Sequence, residues 1–200
     1  MSQTQIQRVL KLFHKTTTIR ASDLKEQGIP RSVLARMVSS GLLEKVSHGL
    51  YRITNTQMSE KEEMVNIALR VPQAVFCLFT ALQFHELTTQ LPREIWIAMP
   101  QGCHKPQIDY PPIQIIRPTK KIYGEGIDIV IVDQVPIKIY NPAKTVVDCF
   151  KYRNKIGMDV ALEALKDALH QKKVTSDELY YFAKIERVQK IILPYMEAIL

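Results

Sequence analysis

Cysteine is scarce in this sequence and is placed against any covalent scaffold. The three thiols, Cys77, Cys103 and Cys149, are odd in number, far apart and form no C-x-x-C pair. A disulfide framework is therefore excluded, and the thiols read as the reduced ones of a cytosolic chain. Cys103 stands beside His104, but no second pair follows at ligand spacing, so no zinc site is expected. Long apolar runs are also missing. None approaches the roughly 18 residues that a membrane span needs. The first residues are polar rather than signal-like, and a cytoplasmic location is expected. There is no internal repeat and no low-complexity tract. Gly124-Glu125-Gly126 is too short and too acidic to cradle a phosphate.

Acidic residues are what the first third lacks. Residues 1–57 carry nine Lys/Arg against three Asp/Glu, a net of +6, whereas residues 58–200 carry eighteen against seventeen. A merely solubilising surface would spread the excess more evenly. Concentrated cations suit a polyanionic partner such as duplex DNA.

The pattern inside that segment points the same way. Residues 3–14 read as a helix with Ile6, Val9, Leu10 and Phe13 on one face. Thr16 to Arg20 is β-branched and suits a short strand pairing with a later hairpin. Ala21 to Gly28 reads as a helix capped by Ser22 and closed by a glycine free to turn left-handed. Pro30 to Gly41 reads as a second helix, with proline at its start and Leu34, Met37 and Val38 facing inward. Leu42 to Ile53 then gives two short strands around Ser47-His48-Gly49. The order helix, turn, basic helix, basic hairpin predicts a winged helix-turn-helix that binds DNA. The outer helix face offers Arg31 and Arg36 as base readers, with Ser32 and Ser39 for bases or phosphate. Arg20, Lys45, His48 and Arg52 are the expected phosphate contacts, although an arginine in the place of Arg52 equally well only closes a hairpin.

Thr54 to Ser59 is polar and aperiodic, and divides the chain into domains 1–57 and 58–200. The second domain is expected to be α+β, with a small sheet and C-terminal helices. Ser59 opens a helix to Val71; Ala74 to Phe79 is strand or buried helix; Thr80 to Leu87 is helical. Strands follow at Glu94 to Met99, Ile113 to Arg117, Gly126 to Val132 and Pro136 to Tyr140, with a proline-rich loop over 100–112. Asn141 and Pro142 start a helix in which Lys144 and Asp148, four apart, are expected to pair. Later helices begin near Met158 and Ser176, and Pro194 should bend or break the last. Tyr180, Tyr181, Phe182 and Tyr195 could dock a protein partner or a second copy of the chain, but the reading preferred is that they fill the domain's own core. Asp128, Asp133 and Lys138 lack the spacing of a metal nuclease, and His85 reads as packing. No enzyme, cofactor or metal is expected.

Three further stretches carry a resemblance: Thr80 to Pro100, Gly126 to Gly157 with its Asn-Pro-Ala-Lys-Thr-Val-Val-Asp-Cys run, and Ala161 to Leu169. Together with the GLL-x-K-V-x-x-GLYR segment from Gly41 to Arg52, they make the chain similar to the AbiEi family of antitoxin-regulators. The resemblance implies an N-terminal domain that binds inverted repeats in its own promoter and represses it. It implies a second domain that counters a nucleotidyltransferase-like toxin in phage defence by abortive infection, with or without direct contact. Reading an inverted repeat takes two copies, which could pair only on DNA. The alternatives are a repressor that senses a small ligand and an antitoxin that grips the toxin directly.

Overall fold

The computed structural model describes residues 4–13, 16, 18–47, 49–54 and 61–199. The chain divides into two compact units, Met1–Arg70 with Ile131–Pro136, and Val71–Val130 with Ile137–Leu200. The architecture is mixed α and β, with two small sheets.

In the first unit, α1 (Gln5–Leu12) starts at Thr4, whose hydroxyl accepts from the Gln7 N–H while the Gln7 side chain returns to Thr4. A short strand, β1 (Thr18–Arg20), leads directly into α2 (Ala21–Glu26). Ser22 does not cap α2. Arg20 holds the cap position, and its N–H donates to the Asp23 carboxylate at 2.8 Å. The carboxylate accepts more strongly than a hydroxyl and sits one turn inside the helix, where the dipole favours it.

Next come α3 (Arg31–Ser39), β2 (Leu43–Ser47) and β3 (Leu50–Ile53). Pro30 lies one position before α3 rather than in it. After α3 the chain reverses through Gly41 (φ +72), with Gly41 N–H on the Val38 carbonyl (3.0 Å) and Leu42 N–H on that of Met37 (2.9 Å). The sheet order is β1-β3-β2, antiparallel throughout, with Ile19 opposite Tyr51 and a one-residue bulge at Val46. The expected pairing of the early strand with the hairpin is therefore present. A core of Val9, Ile19, Leu24, Ile29, Val33, Leu34, Met37 and Leu43 joins the helices to the sheet. α4 (Glu62–Arg70) follows in the same unit; residues 55–59 of the expected linker, Ser59 among them, lie outside the described residues.

The second unit holds β4 (Val75–Phe76), α5 (Leu78–Phe84), β5 (Ile95–Ala98), β6 (Ile113–Ile116) and a short α6 (Lys120–Tyr123) that the sequence pattern did not suggest. β7 (Ile127–Val132) and β8 (Val135–Tyr140), whose adjoining ends over 131–136 fall in the first unit, meet through Asp133 and Gln134, at φ +47 and +64. The sheet order is β6-β5-β4-β8-β7, parallel at β5/β6 and β4/β8 and antiparallel at β4/β5.

The helices α7 (Pro142–Lys151), α8 (Arg153–Ile156), α9 (Met158–His170), α10 (Ser176–Glu186) and α11 (Gln189–Ile199) follow. Asn141 caps α7 as expected, its side chain accepting from Lys144 N–H at 2.8 Å, with proline at the first helical position. Pro194 does not end α11, which runs through it. Buried Ile192 and Met196, and Tyr195 against the Phe150 ring, hold both sides of the proline on the core and offset its lost hydrogen bond.

Candidate nucleic-acid interface

The α3 sequence sorts its side chains cleanly. Val33, Leu34 and Met37 are buried, while Arg31, Ser32, Ala35, Arg36 and Ser39 are exposed. The inward stripe includes Val33 and leaves Val38 only half-buried, a small rotation from the expected Leu34–Met37–Val38 face. Residues four apart on a helix form rows. Arg31, Ala35 and Ser39 make one row, and Ser32 and Arg36 the next. The Arg31 and Arg36 guanidiniums engage no other described residue, so their donors remain available. Ser39 has its hydroxyl hydrogen on the Ala35 carbonyl at 2.8 Å and presents only lone pairs outward.

The remaining candidates fall into separate groups. Lys45 is exposed on β2 and unpaired among the described residues. His48 lies outside the described residues. Arg20 projects from the junction of β1 and α2, and its Nε donates to Asp23 at 3.1 Å. Arg52 is the most committed. Its Nε pairs with Glu44 across the hairpin and its Nη1 with Glu62 of α4 at 2.5 Å, and its side chain is only 16% exposed. Both readings of Arg52 were open in the sequence, and the geometry supplies the pairing partners of the bracing one. Glu62 belongs to no local motif with Arg52, so only the folded chain brings them together.

The charge is less one-sided across the structural units than across the residue 57 boundary. The unit containing α1–α4 holds eleven Lys/Arg against seven Asp/Glu, and the other sixteen against thirteen. Glu60, Glu62, Glu63 and Asp133, against Lys61 and Arg70, supply the dilution, and Glu62 is spent on Arg52. The local excess on α3, Arg31 and Arg36 with no acid, is unaffected.

The second unit buries its strongest charges. Lys144 and Asp148 pair as expected, Nζ to Oδ1 at 2.5 Å, and Glu186 of α10 adds a second carboxylate at 2.6 Å, all three almost fully buried. Burial first, and the Glu186 charge after it, raise the Asp148 carboxyl to about 7 against the pull of Lys144. Burial lowers the Lys144 ammonium less than Asp148 and Glu186 raise it, so it stays charged. Cys77 and Cys149, buried and close to Asp148, have their thiols pushed well up and are poor nucleophiles. Tyr140 lies under the Lys144 ammonium, and burial and Asp148 raise its phenol likewise. Among the described residues no group of His, Cys, Asp and Glu is placed to hold a metal ion.

Two of the four aromatics expected in the core are not there. Phe182 is buried and Tyr195, partly buried, packs against the core, but Tyr180 and Tyr181 are 49% and 52% exposed. The run Tyr180-Tyr181-Phe182 turns about 100° per residue on α10, so it cannot all face inward.

Residues 7–54 match the model of a family described as transcriptional regulator, AbiEi antitoxin. That match covers α1 to β3 and bears out the resemblance over those residues. No curated protein sequence matches the chain. Among solved structures, the RV2827C protein from Mycobacterium tuberculosis is similar in fold, with a TM-score of 0.61 at 12% identity, over 92% of this chain and 72% of that one. No helix among the described residues is long and apolar enough to cross a membrane.

Proposed function

We propose that this chain is a DNA-binding antitoxin that represses its own operon. The unit built on α1–α3 and the β1-β3-β2 sheet acts as a winged helix-turn-helix, with α3 as the helix that enters the major groove and the β2–β3 hairpin as its wing. The observation that carries this reading is the exposed, uncommitted Arg31 and Arg36 on a helix whose opposite face is buried. The match of residues 7–54 to a family of transcriptional regulators supports it. Arg31 and Arg36 read guanines by paired hydrogen bonds, Ser32 accepts or donates at base edges and phosphate, Ser39 accepts at base edges, and Lys45 holds the backbone. Arg20 and His48 are assigned to phosphate. Arg52 braces the wing instead and contributes through position. Two copies read the two halves of an inverted repeat, and the second unit counters a nucleotidyltransferase-like toxin without any catalysis of its own.

Gel-shift titration on the chain's own promoter at fixed salt tests the assignment. Arg31→Ala and Arg36→Ala should each cost roughly 1–3 kcal/mol against the preferred site and flatten sequence preference. Unchanged affinity in both variants would remove α3 from the groove. The exposure of Tyr180 and Tyr181 favours a second reading, direct capture of the toxin. Co-purification of the toxin with the native chain, and its loss from a Tyr180→Ala, Tyr181→Ala variant, separates capture from an indirect route.

A further inference from the structure

Acids are few where DNA is to be gripped, yet one of them is tied to the wing. Alternation sends Leu43 and Ile53 to the core of α1–α3 and leaves Glu44 and Arg52, which lie opposite each other in the ladder, on the other face of the hairpin. Glu62, the first residue of α4, meets Arg52 on that face, with Nη1 to Oε1 at 2.5 Å. The hairpin is thus held on both faces, by apolar packing on one and by an ion pair to α4 on the other.

The pair is shielded and unequal. The Arg52 and Glu62 side chains are 16% and 15% exposed, against 41% for Glu44, so the contact to α4 is the less screened of the two. Arg52 keeps the Glu44 carboxylate if Glu62 loses its charge. Glu62 has no such reserve. Its Oε2 is buried without a hydrogen-bond partner, and among the described residues Arg52 is the one partner of this carboxylate. Asn66 Oδ1, one turn further along α4, and Thr54 Oγ1, two residues beyond Arg52, are buried without a partner as well. No neighbouring side chain therefore takes over if the ion pair is lost.

We propose that Glu62 is a positioning residue of the DNA grip: it touches no nucleic acid, and through Arg52 it sets the angle of the wing and so the place of Lys45 on the backbone. This role rests on the winged helix-turn-helix reading, and simple electrostatics predicts the opposite sign for it. A carboxylate in a DNA-binding unit repels phosphates, so by charge alone its removal tightens binding. Removing a residue that aims the wing weakens binding instead, because a hairpin free to swing must be ordered at the moment of contact.

Fluorescence anisotropy of the intact protein on its own promoter fragment, at fixed salt, decides the sign. Glu62→Gln keeps the shape and leaves Arg52 on Glu44, and should weaken binding roughly five-fold. Lys45→Ala weakens the native chain, but in the Glu62→Gln background it should cost little more, since Lys45 is no longer held on its phosphate. At saturation, methylation protection of guanine N7, which reports α3 in the major groove, should persist in Glu62→Gln, whereas hydroxyl-radical protection of the backbone beside the wing should fade. A variant that merely unfolds loses both protections together. Unchanged or tighter binding by Glu62→Gln, an undiminished Lys45→Ala effect, or joint loss of both protections overturns the proposal. If Arg31→Ala and Arg36→Ala are silent as well, the winged-helix reading falls with it. If they weaken binding while Glu62→Gln does not, α3 stays in the groove and only the role of Glu62 is lost.

Discussion

At the scale of single residues, the chain spends its charges in two opposite ways. Arg31 and Arg36 are left in water with free donors, while Lys144 is sealed between Asp148 and Glu186. Two carboxylates to one ammonium leave the buried cluster one negative charge in excess, and Asp148 Oδ2 has no hydrogen-bond partner among the described residues. The folded state therefore holds a proton on Asp148 more readily than the unfolded chain does. With the carboxyl raised from 3.8 to about 7, its contribution is fully present below the unfolded value and is lost as pH rises through about 7. Urea unfolding should thus show stability falling by a few kcal/mol from about pH 4 to pH 7 from this group, and Asp148→Asn should flatten that dependence. Lys144→Met leaves two acids buried without a cation and should cost roughly 3–5 kcal/mol, more than Asp148→Asn. The same measurement compares them. The Lys144–Asp148 pair was legible because a spacing of four places both on one helix face. Glu186 was not, since 42 residues separate it from Lys144 and nothing local in Ser176–Glu186 distinguishes an acid that ends up buried.

At the scale of elements, local signals held where one residue controls one bond and failed where packing decides. Asn141-Pro142 is a complete start signal, and α7 begins there. Asn141→Ala should lower stability by about 1 kcal/mol, with Asn141→Asp nearly neutral, read as shifts in the urea midpoint at constant m. Ser22 and Pro194 show the other case. The helix starts at Ala21, straight after β1, which puts Ser22 inside its first turn rather than at the cap, and the core on both sides of Pro194 carries the last helix past it. The four strands expected in the second domain were all found near their stated bounds, because alternation marks a strand. Their order in the sheet, with β4 between β5 and β8, is set by crossovers that no single stretch encodes. The contact between the Phe79 and Trp96 rings was equally hidden. The two rings lie on different elements, and the reading of Glu94 to Met99 placed Trp96 only on one side of a strand.

At the scale of the whole molecule, the proposed function becomes a statement about ions. Each phosphate neutralised on duplex DNA contributes about −0.9 to the slope of log K against log salt. Lys45→Ala should weaken binding to the operator and to unrelated DNA alike and make that slope shallower by about one, whereas Arg31→Ala should act mainly on the preferred sequence. Fluorescence anisotropy across a salt series distinguishes the two. Two copies per operator, with half-sites ~34–36 Å apart, is the geometry a symmetric pair requires. The brace at Arg52 gives ionic strength a second point of entry. Guanidinium and carboxylates that are only partly shielded loosen their hold as electrolyte rises, while aliphatic contacts tighten slightly in salting-out media. If the proposed DNA grip is right, concentrated electrolyte acts on it in two places at once, by crowding the phosphates with counterions and by slackening the strut at Arg52.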